Sequence, residues 1–82
     1  MKKKEIMVGK TYTNGRGRER KVIGMGPEYK SYPSQESTEN LQYEIVKDGS
    51  KTNWSAGQRA NMTVASFASW AKEIVEEGHN AP

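Results

Sequence analysis

The chain has 82 residues, of which 33% are hydrophobic and 28% charged, with a formal charge of +3 and no cysteine. A chain of this length makes one domain, and one that buries only roughly 60% of the surface its unfolded form exposes. The absence of thiols excludes disulfides, Cys-based zinc sites and thiol nucleophiles.

Residues 1–5 read as a basic flexible tail. Residues 6–13 read as a first short strand, ended by Asn14-Gly15, a dipeptide suited to the positive φ of a hairpin turn. A second strand follows over residues 19–25, where Val22-Ile23 favours extended structure and Gly24 marks a bulge or a close backbone approach. Gly26-Pro27 stops it. Residues 27–40 are polar and carry two prolines without a period, which makes them either a flexible loop or a binding loop. In Leu41-Gln42-Tyr43-Glu44-Ile45 apolar and polar residues alternate, so Leu41, Tyr43 and Ile45 share the buried face of a third strand. Lys47-Asp48-Gly49-Ser50 then reads as a tight turn and residues 51–55 as the return strand, with Trp54 packing inward.

The last element is a helix over residues 63–77. Val64, Phe67, Ala68, Ala71, Ile74 and Val75 form one apolar stripe, Thr63 is the N-cap, Gly78 the C-cap, and residues 78–82 a tail. The expected fold is therefore α+β. It is a single domain over residues 1–82, built as a small antiparallel β-sheet or SH3-like barrel of about four strands with one C-terminal α-helix packed on it. The helix completes a core that the strands alone scarcely close. Phe67, Trp70 and Ile74 are the residues expected to be shared with a second subunit in a homo-oligomer.

Charge is unevenly spread. Residues 1–30 hold nine cations and three anions, a balance of +6, and the remainder carries −3. Such asymmetry fits a positive surface for an anionic partner. Its centre is Asn14-Gly15-Arg16-Gly17-Arg18-Glu19-Arg20-Lys21. Glycines there let backbone N–H groups approach an anion, and guanidinium forks grip phosphate oxygens in pairs. Arg16, Arg18 and Arg20 share one parity and project to one side of an extended strand, so with Lys21 they form a candidate phosphate-binding stripe. The plainer reading makes them solubilising charges on an edge strand.

Arg59, the one cation in residues 52–71, is a second phosphate-binding candidate just before the helix N-terminus. Tyr29 and Tyr32 flank Lys30, and with Trp54 they are the candidates for stacking on a base. Tyrosines packed under a loop are the commoner arrangement. No catalytic constellation emerges: His79, the one histidine, falls in the tail, and no His or Asp cluster has metal-ligand spacing. A protein without catalysis, cofactor or metal is expected.

Gly9-Lys10-Thr11-Tyr12, then Gly17-Arg18-Glu19-Arg20-Lys21-Val22, then Leu41-Gln42-Tyr43-Glu44-Ile45, then Thr63-Val64-Ala65-Ser66-Phe67-Ala68-Ser69-Trp70-Ala71 together resemble small uncharacterised accessory proteins of phages and mobile elements. The resemblance implies a genome-packaging helper, a host-takeover peptide, or a counter-defence protein that sequesters a nucleotide signal or occludes a nuclease.

The functional expectation is thus binding of a nucleotide or nucleic acid. The competing one is a protein-interaction module that docks on a host or phage protein through a sheet edge or through Trp70. No run approaches the roughly 18 apolar residues of a membrane span, and Met1-Lys2-Lys3-Lys4 leads into no apolar signal segment. The expected location is cytoplasmic, in the host cytoplasm for a phage-encoded chain, with no membrane partner.

Overall fold

The computed structural model describes residues 1–75. The chain runs through a short 3-10 helix (Lys3–Glu5), β1 (Thr11–Thr13), β2 (Arg18–Met25), β3 (Asn40–Asp48), β4 (Arg59–Thr63), α1 (Val64–Trp70) and β5 (Glu73–Val75). The strands form one open antiparallel sheet in the order β4-β3-β2-β1-β5, with α1 joining its two edges. This is the small α+β architecture that the sequence pattern indicates, and its strand arrangement is consistent with an SH3-like fold. No helix among the described residues is long and apolar enough to cross a membrane.

The alternation in β3 sets the inward row. Leu41 and Tyr43 point to the helix side and Val22 lies directly across from Tyr43, so the three share a face with Tyr12 of β1. Val64, Phe67 and Ala68 of α1 close over them, joined by Ala71 and Ile6. Phe67 is fully buried in this core and makes an edge-on contact with Tyr12 at 5.5 Å and a tilted one with Tyr43 at 5.9 Å. Such aromatic pairs add about 0.5–1.5 kcal/mol to plain burial. Because Phe67 is enclosed by its own chain, it is not available as an oligomer contact.

The helix is shorter than its apolar stripe predicts. Thr63 caps it, its hydroxyl accepting from the Ser66 N–H at 3.1 Å. At the other end Ala71 is already extended, and the Lys72 N–H donates to the Thr13 carbonyl at 2.8 Å. Ile74 and Val75 therefore leave the helix for β5, pairing with Tyr12 and Thr11. The reason is competition for β-branched residues. Ile74 and Val75 gain little in a helix end, while β1 would otherwise expose a whole edge of backbone donors and acceptors. The proposed cap at Gly78 and the tail over residues 78–82 lie outside the described residues.

Two further expectations are corrected. Residues 1–5 are tied down rather than loose, because the Tyr12 hydroxyl donates to the Glu5 carbonyl at 2.7 Å and accepts from the Met7 N–H at 2.8 Å. That phenol's pKa is raised, chiefly by burial, with the Met7 hydrogen bond acting against it and the Glu5 charge with it. The return strand lies not at residues 51–55 but at Arg59–Thr63, after a long ordered loop. Residues 27–40 are likewise built into the structure. Gln35 and Asn40 are buried and joined by a 2.5 Å hydrogen bond, and the Asn61 amide donates to the Lys30 carbonyl at 3.0 Å.

Urea denaturation tests the two anchors of the core. Phe67→Ala is expected to cost about 3–5 kcal/mol. Tyr12→Phe, which keeps the ring but strands the Met7 donor and the Glu5 acceptor, is expected to cost about 1–3 kcal/mol.

Candidate functional site

Arg18 and Arg20 stand two residues apart in β2, on the face that also carries Val22. Arg20 pairs with Ile45 and Arg18 with Asp48, one extra β3 residue being accommodated between Glu19 and Arg20. Both arginines line a cleft of about 320 Å³ with Ile45, Lys47, Asp48 and Trp54. Arg20 lies over the Tyr43 ring at 4.6 Å and the Trp70 ring at 4.3 Å. Burial is the main influence lowering its pKa, the Tyr43 group opposing that shift and the Arg18 charge adding to it. It stays cationic, since a guanidinium does not lose its proton in proteins.

Neither arginine forms an ion pair among the described residues. The pairs that do form are Lys3–Glu39, Lys47–Glu19 and Arg59–Glu44. Asp48, across from Arg18, turns its oxygens elsewhere. Oδ1 accepts from the Ser50 N–H at 2.9 Å and hydroxyl at 2.6 Å, and Oδ2 accepts from the Ser55 N–H at 2.6 Å. These bonds hold its carboxyl below the ordinary value of 3.8, the Ser50 hydroxyl contributing most.

The same bonds fix the loop between β3 and β4. The Asn53 side chain accepts from the Asp48 N–H at 3.3 Å, and Asn53 itself adopts φ +48°. At the far end the Gly57 N–H donates to the Ile45 carbonyl at 2.7 Å, while the Ile45 N–H donates to the Gln58 carbonyl at 2.8 Å. Trp54 is carried on this tethered loop at 81% exposure. It does not pack inward as its size suggests, because the polar anchors around it satisfy the loop without it. An indole left in water at the rim of a cationic cleft is a ready stacking platform.

The structure sorts the remaining candidates. Arg16 sits exposed in the turn between β1 and β2 and does not line the cleft. Lys21 alternates with Arg20 and so projects from the opposite face, in one row with Glu44 and Arg59. Arg59 Nε bonds Glu44 Oε1 at 3.2 Å, which commits it there rather than near the start of the helix. Tyr29 packs on Gly24, where a Cβ would come within 2.5 Å of its hydroxyl; that contact explains the glycine inside β2. Tyr32 is exposed at a separate cleft with Ser31, Gln35 and Asn61. Neither tyrosine joins the arginines. Trp70 is partly buried between Phe67 and Arg20, and Ile74 is 40% exposed in edge strand β5.

Lys47, Asp48 and Ser50 complete the cleft without having been singled out from the sequence, and Ser55, which the sequence grouped with Arg59 ahead of the helix, lines this cleft instead. The legible signal was Asp48 followed by two serines, since Asp side chains capture nearby backbone donors in loops. Among the described residues no cluster of acidic or metal-binding side chains forms a metal site. Comparison with family models, with curated proteins and with solved structures returns no match.

Acrylamide quenching checks the placement of the two tryptophans. Trp54→Phe is expected to remove most of the quenchable emission, whereas Trp70→Phe leaves it. The loop should also report on Asp48. A depressed folded-state pKa means that its bonds are intact above 3.8 and are lost as the pH falls through the folded value. Trp54 emission is thus expected to be flat from neutral pH to the ordinary carboxylate range and to change only below it. Asp48→Ala should give the changed spectrum at neutral pH.

Proposed function

We propose that the cleft of Arg18, Arg20 and Trp54 binds a phosphate-bearing ligand that also carries an aromatic base, a nucleotide or a nucleic acid, without catalysing a reaction on it. The observation that carries this reading is the meeting of two guanidinium groups lacking carboxylate partners among the described residues with an exposed indole on a tethered loop. Unpaired guanidinium forks take phosphate oxygens two at a time, and an indole stacks on any base. Lys47 adds a third cation, and its pairing with Glu19 at 3.6 Å is loose enough to exchange. In a chain resembling phage accessory proteins, such a cleft fits sequestration of a nucleotide signal or coverage of nucleic acid in the host cytoplasm.

A second reading is favoured by Trp54 itself, since a large exposed aromatic on so small a domain also fits docking on a host or phage protein. Homo-oligomerisation belongs to the proposal as well. The exposed Ile74 of β5 is apolar surface that a second copy would cover, and native mass measurement tests it.

Titration of Trp54 fluorescence with mononucleotides, a single-stranded oligonucleotide and a duplex decides among these. Arg18→Ala is expected to weaken nucleotide binding about tenfold or more. Trp54→Ala should cost about 1–3 kcal/mol per stacked base. Lys21→Ala and Arg59→Ala, on the other face, should leave affinity within about twofold at fixed salt. Absence of binding in all three arms would sink the phosphate reading. A protein partner lost in Trp54→Ala but kept in Arg18→Ala would replace it.

A further inference from the structure

A second cleft, lined by lysines, lies at the opposite end of the β2–β3 pair. Lys2, Lys3, Lys4, Met25, Gly26 and Val64 line a cleft of about 630 Å³. Lys3 Nζ is held by Glu39 Oε1 at 2.8 Å, while Lys2 and Lys4 form no ion pair among the described residues. The Glu28 carboxylate rests against Gly26 at the rim, and Glu5 Oε1 accepts from the Lys2 N–H at 2.8 Å. Three acidic groups thus stand near the three lysines, but only Glu39 forms an ion pair with one of them among the described residues.

The two clefts are joined by the same elements. Trp70, at the end of α1, stacks on Arg20 of the first cleft, and Val64, at its start, lines the second. The N-terminal segment runs beside the helix between them. The Met1 nitrogen donates to the Ala68 and Ala71 carbonyls at 2.9 and 3.2 Å, and Lys3 reaches Glu39 near Val64. The outward side chains of α1 are Ala65, Ser66 and Ser69, which place no negative charge on the way. From Arg20 to Met25 the strand covers about 17 Å. A stacked strand with one phosphate per about 3.4 Å crosses that distance in about five nucleotides.

We infer that the two clefts are the ends of one track for single-stranded nucleic acid about five nucleotides long. A base stacks on Trp54 at the arginine end, and phosphates meet Lys2 and Lys4 at the other. This inference rests on the arginine cleft being a phosphate site and assigns it a polymeric ligand. A mononucleotide fills only one cleft, and a duplex keeps its base faces stacked away from Trp54.

The test uses the whole chain, thymidine monophosphate, oligodeoxythymidylates of increasing length, and a duplex of matching length. Trp54 quenching reports the first cleft and anisotropy of labelled oligonucleotides reports total binding. Affinity is expected to rise at least about tenfold from the monophosphate to about five nucleotides, by effective concentration, and then to level. The double variant Lys2→Ala/Lys4→Ala should return that oligonucleotide to the monophosphate's affinity and flatten its salt slope by about 1.4. It should leave monophosphate quenching and the urea midpoint unchanged.

Equal affinity for monophosphate and oligonucleotide overturns the track and leaves the cleft reading standing, as does an oligonucleotide affinity indifferent to the double variant. Duplex binding as tight as single-strand binding overturns the single-stranded assignment. If neither monophosphate nor oligonucleotide quenches Trp54, the cleft reading falls first and the track with it.

Discussion

The ring of Phe67 touches Tyr12 from β1, Tyr43 from β3 and, at 5.4 Å, Trp70 from the next turn of its own helix. One buried side chain thus fixes how α1 lies on the sheet. The contact does more than close a core, because Trp70 and Tyr43 in turn bracket Arg20. A guanidinium near the edge of an apolar layer would normally reach for a carboxylate or for water. Here two aromatic faces hold it, at a cost in desolvation that the ring quadrupoles offset in part. The candidate site is therefore an outgrowth of the packing, and its geometry depends on the rigidity of the core beneath it.

A division of labour between the two faces of the sheet follows. On the helix side, the β2 positions of one parity pass from Val22 in the core to Arg20 at its margin and Arg18 in the cleft. On the other side, Lys21, Glu44 and Arg59 form a row of alternating sign in which Glu44 is paired with Arg59. The positive excess of the first 30 residues is consequently not one surface. Part of it faces the cleft, Lys21 lies on the opposite face of the sheet, and the lysines nearest the start gather at the far end of the β2–β3 pair.

The elements whose periodicity coincides with burial were legible in the sequence. The alternation of β3, the β-branched centre of β2 and the first turns of α1 each report the face they bury. The common parity of Arg18 and Arg20 was legible for the same reason. What escaped were features decided by distant backbone partners. Ile74 and Val75 continue the apolar period of the helix without conflict, and only the unpaired edge of β1 draws them into a strand. Trp54 reads as core because indoles are costly to expose, and it is outside because Asp48 organises the loop through hydrogen bonds that hydropathy does not register. Tyr29 and Tyr32 look equivalent beside Lys30, yet a missing Cβ at Gly24 gives one of them a seat and leaves the other in solvent.

The placement of β5 beside β1 also bears on how the chain reaches this structure. Tyr12 is paired with Ile74, so a strand near one end of the described chain is completed by one near the other. The β1–β2, β2–β3 and β3–β4 pairings join neighbours in sequence and can form early with little loop-closure entropy to overcome. The β1–β5 pairing requires nearly the whole described chain to be gathered first. Folding should accordingly begin in the hairpins and finish with β5 docking on β1, with the Arg20 cradle assembled only once the helix has settled. Until that last step, β1 and β5 are exposed edges, and they are the positions at which one chain could pair with another in place of itself.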